Sequence, residues 1–298
     1  MPAPVASRVF DPHATEAWLA RTPPGPAPWL HEEVGRRMAQ RLSFVKRRPA
    51  TVVDWWASLG GATALLREQY PDARVIEVEA EPRLVRLRET QGSAPWWSPR
   101  RWRRESAPTP VTEHDAQTLG ADLLWANMVL HWAPDPEAQF GSWHRALAID
   151  GFLMFSCLGP DTVRELRALY ERQGWGPPGA EFVDMHDLGD MLVHAGFDDP
   201  VMDMETVRLT WDDPARCLAE LRTLGRNAHP GRAPGCRTPR WRRRLLEALA
   251  PAGAAVGITF EIVYGHAFKG LPRSRGGTTT EVSLADMRAM VRGRKAAP

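Results

Sequence analysis

The chain has 298 residues, 43% of them apolar and 25% charged, with 38 Lys and Arg against 36 Asp and Glu. A formal charge of +2 excludes a global polyanion-binding field, and three scattered cysteines, Cys157, Cys217 and Cys236, exclude a disulfide framework or a C-x-x-C metal centre. With no apolar leader after Met-Pro-Ala-Pro and no run of about 18 apolar residues, the chain reads as a cytoplasmic α/β protein with no membrane or metal partner.

In chain order, Val52-Val53-Asp54 predicts a first strand, and residues 62–70 a helix with Leu65, Leu66 and Tyr70 on one face. Between them lies Asp54-Trp55-Trp56-Ala57-Ser58-Leu59-Gly60-Gly61. A strand ending in an acid, then a glycine-containing turn and a helix, presents backbone N–H groups to a nucleotide in doubly wound α/β domains. Glycine serves such a turn because the backbone bends sharply and approaches the ligand closely. Gly60 and Gly61 meet that need; Trp55 and Trp56 do not. Residues 74–79 form a second strand ending at Glu79, 25 residues after Asp54. A carboxylate there either accepts hydrogen bonds from ribose hydroxyls or belongs to a solvated acidic edge with Glu77 and Glu81. Pro82 opens a helix over 83–90. The stretch from Trp96 to Arg104 carries Arg100, Arg101, Arg103 and Arg104, either a dock for an anionic partner or a solvated loop. Asp115, after His114, is read as an adenine contact or a turn cap.

Residues 121–128 are apolar on both faces until Asn127, the pattern of a buried central strand. His131 and Trp132 follow it and either line an acceptor pocket or pack in the core. A helix over 137–148 leads to Asp150-Gly151, where glycine supplies a left-handed cap, and to a strand over 152–157. A helix then starts at 160–162, a Gly/Pro-rich loop covers 174–179, and a helix over 185–195 ends at Gly196. A strand over 201–211, a largely helical region over 213–250 and a strand over 259–268 follow. His186, Asp190 and His194 share a helix face, but the outer pair stands about 12 Å apart along the axis, too far for one ion. Residues 237–244 read as a charged helix face over core Trp241, Leu245 and Leu249. Residues 270–298 lack apolar patterning and are expected to be disordered.

Leu123-Leu124-Trp125-Ala126-Asn127-Met128-Val129-Leu130-His131-Trp132, Gly151-Phe152-Leu153-Met154-Phe155-Ser156 and Gly159-Pro160-Asp161-Thr162 resemble class I S-adenosylmethionine-dependent methyltransferases. Phe182-Val183-Asp184-Met185-His186-Asp187, Ala195-Gly196-Phe197 and Phe260-Glu261-Ile262-Val263-Tyr264-Gly265-His266-Ala267 are similar to the malonyl-[acyl-carrier protein] O-methyltransferases of biotin synthesis, the BioC type. The resemblance spans roughly residues 28 to 269. It implies a Rossmann-like, seven-stranded, mostly parallel sheet with an antiparallel last strand and helices on both faces. An N-terminal helical cap over 1–48 would precede a methyltransferase domain over 49–269, with acceptor-side helical insertions in 159–258. S-adenosylmethionine would be held by Asp54, Ser58, Gly60, Glu79, Asp115 and Asn127, with Phe182 on the acceptor side beside His131 and Trp132.

The implied substrate is a malonyl thioester of acyl-carrier protein or coenzyme A. Its carboxylate, with a pKa near about 4, is ionised at pH 7, so no catalytic base is needed. The family's Asp-x-Gly-Cys-Gly-x-Gly turn keeps only its last glycine here, at Gly60. The cap, Phe10-Asp11-Pro12-His13-Ala14-Thr15-Glu16-Ala17-Trp18, carries no tyrosine. Two further readings are a non-catalytic binding protein of the same fold and an RNA-directed methyltransferase using the arginine-rich stretches.

Overall fold

A computed structural model of the chain describes residues 9–22, 25–43, 45–81, 83–84, 110–234 and 238–271. The expected helix beyond Leu84, the arginine/tryptophan stretch with Arg100, Arg101, Arg103 and Arg104, Cys236, Arg237 and the tail from 272 lie outside the described residues.

Apolar runs without polar alternation form the middle of the sheet. β1 (Thr51–Trp55), β2 (Arg74–Glu79), β4 (Ala121–Ala126) and β5 (Leu147–Leu158) run parallel, with the two-residue β3 (Val111–Thr112) beside β2. β7 (Val256–Phe268) enters antiparallel between β5 and the edge strand β6 (Asp198–Trp211), giving the order β3-β2-β1-β4-β5-β7-β6. Val52 and Val53 are both fully buried, because each side of β1 is covered by helices. The edge strand β6 alternates half-buried and exposed residues, as expected of one solvated face.

Helices cover both faces. On one face lie α2 (Trp29–Leu42), α4 (Thr63–Gln69) and α9 (Pro214–Thr223), and α2 packs Leu30, Val34 and Met38 against Val52, Leu123 and Phe152, while the short α3 (Ala57–Gly60) turns Leu59 to the opposite side. On the other face α1 (Pro12–Arg21), α6 (Pro136–Ala146) and α8 (Met185–His194) bring Trp18, Phe140, Trp143 and Leu192 onto Val53, Leu124 and Phe155. α5 (Glu113–Ala116) follows β3, α7 (Arg164–Arg172) follows β5, and α10 (Pro239–Leu249) packs on α7 through Leu245, Tyr170 and Trp241. Among the described residues, four helices begin with proline after a capping side chain: Asp11-Pro12, Asp135-Pro136, Asp213-Pro214 and Thr238-Pro239. The cap oxygen takes an orphan N–H while proline presets the first turn.

Two local expectations are corrected. The left-handed residue before the core of β5 is Asp150 (φ 65°), not Gly151. Gly151 is inside the strand, where a Cβ would meet the Ala121 carbonyl oxygen at 2.7 Å, so close approach rather than a cap requires glycine. The largely helical reading of 213–250 holds only for α9 and α10: the described residues 224–234 between them are not helical, and Leu224, Gly225, Arg226 and Asn227 line a cavity. Among the described residues no helix is long and apolar enough to cross a membrane, and no group of three His, Cys, Asp or Glu side chains is placed to hold a metal ion. His186 instead pairs with Asp184 at 2.8 Å, and His194 lies 3.8 Å from Glu137.

Candidate functional site

β1 ends at Trp55 and the chain turns at Trp56, whose φ of 53° and ψ of 50° lie in the left-handed region. That conformation costs a non-glycine residue about 1–2 kcal/mol, so burial must hold it. The Trp56 side chain is 7% exposed, packs in the core on the α6 face and lies beside the Glu113 carboxylate at the start of α5. The backbone therefore follows the course a glycine takes, while the ring is led toward α5.

Side chains from three other elements pin the rest of the turn. The Ser58 N–H donates to Glu79 Oε1 (2.6 Å), Asn127 Nδ2 donates to the carbonyls of Gly60 and His31 (both 2.7 Å), and His31 Nδ1–H donates to the Leu59 carbonyl (2.9 Å). Asn127 Oδ1 in turn accepts from Ser156 Oγ at 2.8 Å. A Cβ at Gly60 would stand 3.1 Å from the Asn127 carbonyl, so packing keeps that glycine. Asp54, Ser58, Gly60, Glu79 and Asn127 are thus gathered at the carboxyl ends of β1, β2 and β4. Asp115 is not tied to them by any bond seen among the described residues: it is exposed and exchanges hydrogen bonds with Thr112, capping its own turn.

The electrostatics follow from burial. Asp54 Oδ2 accepts from Thr63 Oγ1 (2.7 Å) while Oδ1 is buried with no hydrogen bond among the described residues, and desolvation pushes the carboxyl up to about 7 against the Thr63 bond. Burial also raises the Glu79 carboxyl, opposed by Ser58 and by Arg83, whose Nε stands 3.9 Å from Oε2 and donates to Ser58 Oγ. Glu79 Oε2 makes no hydrogen bond among the described residues. A buried carboxylate oxygen in want of a donor suits a ribose hydroxyl, so the residues present fit the nucleoside half of the implied cofactor. Arg83, Glu113 and His31 carry no motif, and sequence reasoning missed them.

His131, Trp132 and Phe182 are brought together. They line one apolar cavity of about 260 Å³ with Leu158, Tyr170 and Leu245. His131 meets Phe182 edge-on at 5.8 Å, and Trp132 stacks at 4.4 Å on Trp18 of α1. The cap thus supplies an aromatic ring to this region, though not a hydroxyl. Gly225 (φ 150°) closes over Trp132, whose ring atom Cζ2 would lie 2.0 Å from a Cβ there. Gly225→Ala is expected to cost about 2 kcal/mol of stability through strain and to displace the indole. Thermal unfolding and tryptophan fluorescence check this, and unchanged spectra with unchanged stability would refute it.

No family model matches the chain. A malonyl-[acyl-carrier protein] O-methyltransferase of Gallionella capsiferriformans is 37% identical over 250 residues, spanning 82% of this chain and 85% of that protein. One from Laribacter hongkongensis is 35% identical over 253 residues, spanning 83% and 84%. Among solved structures, the YcgJ protein from Bacillus subtilis superposes with a TM-score of 0.50 at 11% identity, over 79% of this chain and 99% of that one, a likeness of fold alone.

Proposed function

The chain belongs to the malonyl-[acyl-carrier protein] O-methyltransferase family, and we propose that it methylates the free carboxylate of a malonyl thioester in biotin synthesis, in the cytoplasm. The observation that carries this reading is the 37% identity along 85% of a relative of that name. When bound, S-adenosylmethionine supplies a methyl group already activated on a sulfonium. Glu79 would hold the ribose hydroxyls, Ser58 and Gly60 would present the turn, Asn127 and Asp54 would fix its course, and Asp115 would face the adenine side. The cavity of His131, Trp132 and Phe182 would seat the acyl end of the acceptor. An ionised carboxylate needs no proton removed, so these residues act by orientation and by excluding water. α1 and α2 serve as the cap over this crevice, and the acceptor side is built from residues 159–258.

The test is mass spectrometry of malonyl-carrier protein after incubation with the chain and S-adenosylmethionine, which should show one methyl ester. Glu79→Gln removes a charge-assisted acceptor and should weaken S-adenosylhomocysteine binding by at least about ten-fold in calorimetry. No binding heat from the parent chain at high ligand concentration would sink the reading and favour a non-catalytic protein of the same fold.

A further inference from the structure

Beside the apolar acceptor cavity lies a larger one, of about 960 Å³, between α1, the turn at Ser58 and Leu59, and the segment after α9. The two share Arg222, Arg226 and Asn227 in their linings, and the stacked pair Trp18 and Trp132 contributes one ring to each. Five arginines face the larger cavity: Arg21, Arg83, Arg222, Arg226 and Arg232. The two carboxylates that line it among the described residues are already paired. Asp11 pairs with Arg232 at 2.7 Å, and Glu220 accepts from Trp211 Nε1 and Arg216 Nε, both at 2.8 Å. Arg83 is held by Ser58 and Glu79. Arg21, Arg222 and Arg226 make no ion pair or hydrogen bond among the described residues.

Three uncompensated guanidinium groups around one cavity call for an anion with several acceptor oxygens, and the apolar cavity next to them calls for an uncharged chain. An acyl-carrier protein presents its acyl group on an arm with that order: acyl thioester, neutral pantetheine chain, then a phosphodiester. Arginine's planar fork matches phosphate oxygens in pairs. We propose that Arg222 and Arg226, on the wall that the two cavities share, bind the phosphate of the substrate's phosphopantetheine arm and clamp it where the arm enters the acceptor cavity, leaving the Ser58 side of the larger cavity to the cofactor. This rests on the thioester reading above. It names Arg222 and Arg226 as the residues that distinguish a phosphorylated arm from a bare one.

The test compares pantetheine with phosphopantetheine, which differ by the phosphate alone, using the full chain and its Arg222→Gln/Arg226→Gln variant. By calorimetry, the parent should bind phosphopantetheine about ten-fold or more tighter than pantetheine, and the variant should bind the two alike. In turnover, the parent's preference for malonyl-phosphopantetheine over malonyl-pantetheine should lie in KM and should fall toward one in the variant. Equal binding of both arms by the parent overturns the proposal. So does a variant that loses malonyl-pantetheine in the same proportion, because the arginines would then hold the malonyl carboxylate. A short RNA oligonucleotide that binds these arginines more tightly than phosphopantetheine also overturns it. A parent that discriminates the two arms yet methylates no malonyl thioester would refute the enzymatic reading and leave the phosphate site standing.

Discussion

Trp56→Gly should unfold at a lower denaturant concentration than the parent chain but at a higher one than Trp56→Ala. Both variants lose a ring that is only 7% exposed, and emptying such a site costs roughly 3–5 kcal/mol. Glycine recovers part of that, because a left-handed φ of 53° carries no Cβ penalty for it; the recovery is about 1–2 kcal/mol. Alanine recovers none. The net losses are then about 1–4 kcal/mol for glycine and about 3–5 kcal/mol for alanine, with glycine about 1–2 kcal/mol ahead, the reverse of the usual ranking of glycine below alanine. Urea titrations at constant slope measure both values, and a Trp56→Ala protein at least as stable as Trp56→Gly would mean that the backbone is not left-handed there.

The same pair of variants bears on function. The indole lies beside Glu113, so its removal should change S-adenosylhomocysteine affinity less than about ten-fold while the protein remains folded. A much tighter binding by Trp56→Gly would instead place the ring in the cofactor's space.

Trp56 also marks where sequence reading stops. Strand ends near Asp54, Glu79 and Asn127 are legible, because β1 and β4 are short apolar runs, β2 carries Val75, Ile76 and Val78, and their polar tips fall at one edge of the sheet. Helix starts are legible in the Asp-Pro and Thr-Pro pairs. A glycine rule cannot reveal that Trp56 adopts the glycine conformation, since what holds it is burial supplied by residues far along the chain. Gly225 is missed for a similar reason: helical propensity across 213–250 says nothing of a backbone pressed against Trp132. The grouping of His131, Trp132 and Phe182 follows from the topology that returns the chain to the end of β4. Arg83 and His31, by contrast, reach the turn through side-chain length and helix docking, which leave no local pattern.

Asp54→Asn and His31→Asn should tilt the pH dependence of stability in opposite directions. Desolvation raises Asp54 to about 7 from a reference of 3.8, so between those values the folded state holds a proton that the unfolded state has lost. Asp54 therefore contributes stability below about pH 4 that drains away as the pH rises to about 7, at about 1.4 kcal/mol per pH unit and roughly 4 kcal/mol in all. Thr63, Glu77, Glu79 and Arg67 are the groups that face it, and the two glutamates push its carboxyl in the same direction as burial. Desolvation lowers His31 from 6.5 to about 4, opposed by its bond to the Leu59 carbonyl, so here the unfolded state holds the extra proton. That contribution is present above about pH 6.5 and drains away as the pH falls to about 4, by roughly 3 kcal/mol. In the parent chain the two slopes oppose each other across pH 4 to 6.5. Relative to the parent, Asp54→Asn should gain stability from pH 4 to 8, and His31→Asn should gain it from pH 7 to 4. Each gain amounts to a shift of about 6 °C or more in Tm at the far end of the range. Parallel Tm profiles for parent and variants would show that neither group is buried as described. Because His31 and Asp54 flank the two sides of the Trp56 turn, opposite tilts would place a buried, uncharged side chain at each end of it.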